Sequence, residues 1–216
     1  MRKAVSVKTY AQLPEYDRRE ILRYAGARGE TDERLQELLD QCLTECNGVF
    51  TPRACCVTLS RTEFFDIFPP SESAKAWTNG CENITVFAAT VGLGIDRLIN
   101  RYASVSTTKA LLFQAIGAER IERLCDVFCA EQSVGDKHAA RRFSPGYGDF
   151  PLTAQREFFA LLNPQKHIGV TLTESLLMSP TKSVTAAFGI KSGCEQGEQT
   201  TNCQDCNQKD CVFKRD

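Results

Sequence analysis

Histidine, methionine and tryptophan are scarce in this chain: two, two and one among 216 residues. So little imidazole argues against a histidine-built metal centre. Charge of one sign is also missing. Lys and Arg number 26 against 27 Asp and Glu, a net charge of −1, so no electrostatic field gathers nucleic acid or an anionic membrane. No run approaches the roughly 20 apolar residues that span a bilayer. The opening Met1-Arg2-Lys3-Ala4-Val5-Ser6-Val7-Lys8 has charges where an export signal needs an apolar core, and a cytoplasmic protein is expected. Gly92-Leu93-Gly94 lacks the third glycine of a dinucleotide or methyltransferase loop, since Arg97 stands in its place. A strand-to-helix turn is the better reading.

What is present fits an ordinary globule, with 42% hydrophobic and 25% charged residues. The 11 cysteines divide into two groups. Cys42, Cys46, Cys55, Cys56, Cys81, Cys125 and Cys129 lie in apolar segments and read as small buried hydrophobes. The last four lie in a polar tail. Helices are expected from Pro14 through Tyr24, after a Thr31 cap, over 96–102, over 108–131 and over 151–162. Strands are expected at 54–59, 84–91, 168–173 and 183–190, and a loop over 133–150. This order predicts an α+β fold, a mainly antiparallel twisted sheet with flanking helices. Composition turns to Gln, Asn, Asp, Gly and Cys after Ile190, so residues 1–190 are read as one domain and 191–216 as an appended tail.

The densest local chemistry is Arg142-Phe143-Ser144-Pro145-Gly146-Tyr147-Gly148. Glycines let backbone approach a ligand closely. An arginine can grip a carboxylate through parallel charge-assisted bonds. Tyrosine offers a flat face to a purine or a cation. Alone, the segment fits either a surface turn with an exposed arginine or a ligand cradle.

Arg142-Phe143-Ser144-Pro145-Gly146-Tyr147 resembles the Arg-x-x-x-Gly-Tyr motif of the activation domain of cobalamin-dependent methionine synthase. Lys166-His167-Ile168-Gly169-Val170-Thr171-Leu172-Thr173-Glu174-Ser175 is similar to its Lys-His-x-Gly-x-x-Leu-Thr-Glu-Ser segment, and Met178-x-Pro180 and Ser183-Val184 follow in the same order. The resemblance spans roughly residues 108–190 and is looser over 1–107, which look like stand-alone versions of the domain. It implies that Arg142 meets the carboxylate of S-adenosylmethionine, that the backbone at Ser144, Pro145 and Gly146 lines the site, and that Tyr147 stacks on the ligand or points toward it. It also implies a glutamate on the preceding helix for the ammonium group, and Glu122 is the local match. At about 100° per residue Glu122 lies roughly 20° from Cys129, beside the apolar stripe, with Glu119, Arg120, Arg123 and Asp126 turned progressively toward water. A carboxylate so placed needs a cation, supplied either by ligand or by an internal arginine. The family's Asp-Trp-Thr-Pro segment has no counterpart, and its strand of paired tyrosines gives way to the cysteine tail.

In that tail Cys194, Cys203, Cys206 and Cys211 are separated by eight, two and four residues. Four thiolates so spaced suit tetrahedral coordination of zinc or a [4Fe–4S] cluster, and the spacing does not choose between them. Asp136-Lys137-His138 has Arg141 where a corrinoid-ligating segment has glycine, so no resident cobalamin is expected.

The resemblance implies an S-adenosylmethionine-binding subunit for reductive remethylation of cob(II)alamin on a separate cobalamin-dependent methionine synthase, a methyltransferase component. A flavodoxin or ferredoxin would supply the electron. Alternatives are an iron–sulfur activator of another corrinoid protein, and a non-catalytic docking or sensing module.

Overall fold

The computed structural model describes residues 3–27, 32–133 and 137–192. Its elements run β1 (Ser6–Thr9), α1 (Arg18–Tyr24), α2 (Glu33–Glu45), β2 (Arg53–Ser60), α3 (Arg61–Ile67), α4 (Glu72–Trp77), β3 (Asn83–Thr90), α5 (Gly94–Tyr102), α6 (Thr107–Ala130), β4 (Lys137–Ala139), α7 (Gln155–Leu162), α8 (Pro164–Ile168), β5 (Thr171–Leu172), β6 (Met178–Ser179) and β7 (Ser183–Ser192). One five-stranded sheet has the order β1-β2-β3-β7-β4, and every ladder in it is antiparallel. β5 and β6 form a separate hairpin. The fold is α+β, as expected.

Both faces of the sheet are covered, and strand periodicity sorts the side chains between them. Phe87, Ala89, Ala186 and Phe188 pack toward Leu112, Ile116, Leu124 and Phe128 of α6, with Ile21 and Leu39 behind. Ile84, Val86, Ala88 and Ala187 face the other way, against Phe64, Phe150, Phe158 and Ile168. The seven cysteines of the apolar segments are all buried free thiols, as read from the sequence. Burial pushes Cys46 and Cys55 up to about 12 and Cys42 to about 11.

Several expectations are corrected. Pro14 is outside α1, which starts after Asp17; the Asp17 carboxylate accepts from the Arg19 and Glu20 amides and sets the start. Thr31 lies outside the described residues, and Asp32 caps α2 through the Leu35 amide. Residues 168–173 are not one strand. Pro164 opens the short α8, Gly169 ends it at φ 75°, and only Thr171–Leu172 pair. The 133–150 loop contains β4, three residues on the sheet edge. α3 and α4 were not anticipated. Gly92-Leu93-Gly94 is the turn from β3 into α5.

Candidate functional site

Arg142 stands where the backbone leaves the sheet edge. Ala140 N donates to Gly189 O, and Phe143 exchanges both backbone hydrogen bonds with Ala187 at 2.8 Å, tying this stretch to β7. The chain then turns on itself. Tyr147 N donates to Ser144 O, Phe150 N to Tyr147 O, and Gly146 N to Phe150 O at 2.8 Å. Gly146 has φ 94°, which a side chain would disfavour.

Three anchors hold the turn. Phe143 stacks on Trp77, centroids 5.1 Å apart and planes 18° apart, while Trp77 Nε1 donates to Arg141 O at 2.7 Å. Phe150 is buried against Phe64 and Phe68. Asp149 accepts from Ser71 Oγ at 2.6 Å, Glu72 N at 2.7 Å and Ser73 N at 3.0 Å, binding the loop to the start of α4. Those donors hold the Asp149 carboxyl well below the usual carboxylate range, the Ser71 hydroxyl first among them. Gly148 lies so close to Ser73 that an added Cβ would strike its Oγ.

The Arg142 side chain reaches α6. Its two terminal nitrogens donate to Glu122 Oε2 at 2.7 Å and Asp126 Oδ1 at 2.6 Å. Four residues apart, these carboxylates project from one side of the helix. Arg142 is 23% exposed, Glu122 45% and Asp126 57%, so the cluster opens to solvent. Burial works against the Arg142 charge, but the facing Cys125, Glu122 and Asp126 outweigh it and hold the guanidinium above its ordinary value. Beneath it, burial raises Cys125 well above the ordinary thiol range and Cys129 to about 11, Arg142 opposing both shifts.

The arrangement brings the sequence-predicted residues together. Glu122 and Arg142 are in contact, and Arg142 leads into Ser144, the buried Pro145, the exposed Gly146 and Tyr147, which is 51% exposed. The Tyr147 ring meets Phe143 edge-on at 5.9 Å. Glu122 pairs with an internal arginine, one of the two fates open to it in the sequence. Asp126, turned toward water in the helical reading, is half of the carboxylate pair; its spacing from Glu122 was the available signal.

The same reading misplaced Glu119 and Arg120, which are both only 3% exposed. They lie earlier on α6, beside the segment that leads into α1, where Arg120 grips both Glu119 oxygens and the Pro14 and Glu15 carbonyls, and stacks on Tyr16. A cleft of about 640 Å³ opens there, between residues 11–18, the end of α2 and Arg120; Arg142, Glu122 and Tyr147 do not line it. Cys194, Cys203, Cys206 and Cys211 fall outside the described residues. Among the described residues no group of His, Cys, Asp and Glu side chains could hold a metal ion, and no helix is long and apolar enough to cross a membrane.

This fold is shared with a crystal structure of the MetH reactivation domain bound to AdoHcy, at a TM-score of 0.59 and 16% identity, covering 90% of this chain and 80% of that one. Residues 126–195 match the family model described as vitamin B12 dependent methionine synthase, activation domain. No curated protein sequence matches significantly. The fold is thus that of the reactivation domain, and the stretch matched by the activation-domain model contains Arg142 and the whole 143–150 turn.

Proposed function

We propose that this chain binds S-adenosylmethionine against the 142–147 turn and presents its methyl group to a reduced corrinoid carried by a separate methionine synthase subunit. The observation that carries this reading is the half-open cluster of Arg142 with Glu122 and Asp126 at the mouth of a fixed glycine–tyrosine turn; the family-matched stretch takes in Asp126, Arg142 and the turn. Of the five N–H groups of the Arg142 guanidinium, two go to carboxylates and one meets the Cys129 sulfur, which leaves two. Those remaining donors suit the ligand's carboxylate, with its ammonium group toward Glu122. Ser144, Pro145 and the bare Gly146 would border it, and the exposed Tyr147 ring would cover the purine.

The chemistry asked of these residues is positional. The acceptor supplies an electron pair to the methyl carbon, and the C–S pair stays on sulfur. No proton moves at that carbon, so no general base is needed. Holding the sulfonium in line lowers the entropic barrier. The turn is anchored at Phe143, Asp149 and Phe150, so its geometry exists before ligand arrives. The partner would be a cobalamin-binding synthase subunit, reduced by a flavodoxin- or ferredoxin-like donor in the cytoplasm. Zinc or a [4Fe–4S] cluster on Cys194, Cys203, Cys206 and Cys211 belongs to the same proposal; an anaerobic visible spectrum separates them, a brown chain favouring the cluster and a colourless one zinc.

Arg142→Ala should weaken S-adenosylmethionine binding by about 1.5–3 kcal/mol, the range for hydrogen bonds to charged groups. Calorimetry measures this, and unchanged affinity would remove the arginine from the site. Mixing the chain with a cobalamin-loaded synthase subunit, S-adenosylmethionine and a reductant should yield methylcobalamin. Its absence, with the ligand bound, would leave a docking or sensing module.

A further inference from the structure

We infer that Asp126 makes this site select its ligand by charge, favouring the sulfonium substrate over the neutral thioether left after methyl transfer. The inference rests on the proposed S-adenosylmethionine site and adds a residue to it. One guanidinium, Arg142, faces two carboxylates, Glu122 and Asp126. One cation against two anions leaves a single negative charge in excess. Among the residues whose side chains are described, no other cation pairs with either carboxylate. Arg123 turns away, toward Glu119 and Asp17, and Arg141 is exposed and forms no ion pair with either carboxylate.

The two ligands differ in the complementary way. S-adenosylmethionine carries a carboxylate, an ammonium and a sulfonium, a net charge of +1. Methyl loss breaks the C–S bond, leaves the electron pair on sulfur and gives S-adenosylhomocysteine, whose net charge is zero. Glu122 alone would balance Arg142, and the ligand's own carboxylate and ammonium balance each other. Asp126 is therefore the surplus charge, and the sulfonium is the surplus charge it answers. Once the methyl group has gone, that attraction disappears and the product is held less tightly. The pair is half open to water, so the discrimination is moderate, roughly threefold to tenfold.

The test is calorimetry on the full chain with S-adenosylmethionine, S-adenosylhomocysteine and sinefungin, an analogue with an amine cation near the sulfonium position. The wild-type chain should bind the two cationic ligands more tightly than the thioether. Asp126→Asn keeps the shape and can still accept from Arg142. It should narrow the S-adenosylmethionine preference by about threefold to tenfold while moving thioether affinity by less than about twofold. Asp126→Glu should retain the preference, and high salt should narrow it in the wild type. Equal weakening of all three ligands in Asp126→Asn, or an unaltered ratio, overturns the inference and leaves the binding site standing. Failure of the wild-type chain to bind any of the three overturns the site itself.

Discussion

Arg120→Met should cost about 3–5 kcal/mol of folding stability, the range for removing one partner of a buried ion pair. The wild-type guanidinium is 3% exposed and donates to Glu119 Oε2 at 2.5 Å, Glu119 Oε1 at 2.6 Å, Pro14 O at 2.6 Å and Glu15 O at 3.1 Å. It also stacks 4.1 Å from the Tyr16 ring centre. Methionine fills much of the volume and makes none of these bonds. Glu119, equally buried, keeps only the Asp17 amide at 3.2 Å and Arg123 at 3.8 Å. A half-satisfied carboxylate that is only 3% exposed is the main source of the loss. Adding up four charged hydrogen bonds would overshoot, because they share one pair of ions. Urea unfolding followed by helical circular dichroism measures the difference. The double variant Glu119→Leu/Arg120→Met removes both ions and should recover at least about 2 kcal/mol of the sum of the single losses. A single-variant loss under about 1 kcal/mol, or strict additivity in the double, would refute the account.

Alkali should unfold the protein gradually. The thiols of Cys42, Cys46, Cys55 and Cys129 titrate near 11–12 in the fold, against an ordinary value of 9.0, with burial the leading cause. The folded state then holds protons that the unfolded chain has lost, so this stability is complete below pH 9 and falls as pH rises toward 12, by up to about 1.4 kcal/mol per pH unit for each thiol. A melting temperature that stays flat across that window would contradict it, and Cys46→Ala should lessen the slope. Gly148→Ala should lower stability by about 1–2 kcal/mol, because φ is 55° and the new methyl meets Ser73. It should also weaken S-adenosylmethionine binding, since the shifted turn carries Tyr147; unchanged denaturation and binding curves would show that the turn tolerates a side chain.

The sheet's long strands were legible because β2, β3 and β7 are continuous apolar or β-branched runs bounded by turns. α6 was legible by its length. What escaped was short or two-sided. α3 and α4 have seven and six residues, too few for a periodic stripe, though their starts are written in Ser60-x-x-Glu63 and Ser71. β4 has three residues and exists because β7 offers an edge. Glu119 and Arg120 were turned toward water because a helical wheel with one apolar stripe assumes one packed face. α6 packs against α1, α2 and α5 as well as the sheet. The contact between Glu122 and Arg142 was also legible. Arginine, glycine and tyrosine sit within six residues, and the helical position of Glu122 signalled a carboxylate that needs a cation, which Arg142 supplies. Trp77 and Asp149, which fix the turn from other parts of the fold, carry no local signature of that task.

The placement of Trp77 has an experimental use. It is the single indole in the chain, its ring lies flat on Phe143, and its N–H is bonded one residue before Arg142. Steady-state emission excited at the red edge of protein absorption therefore views one neighbourhood. Stopped-flow traces could time the arrival of a nucleoside at the turn in unlabelled, unmodified protein, with no background from a second fluorophore of the same kind.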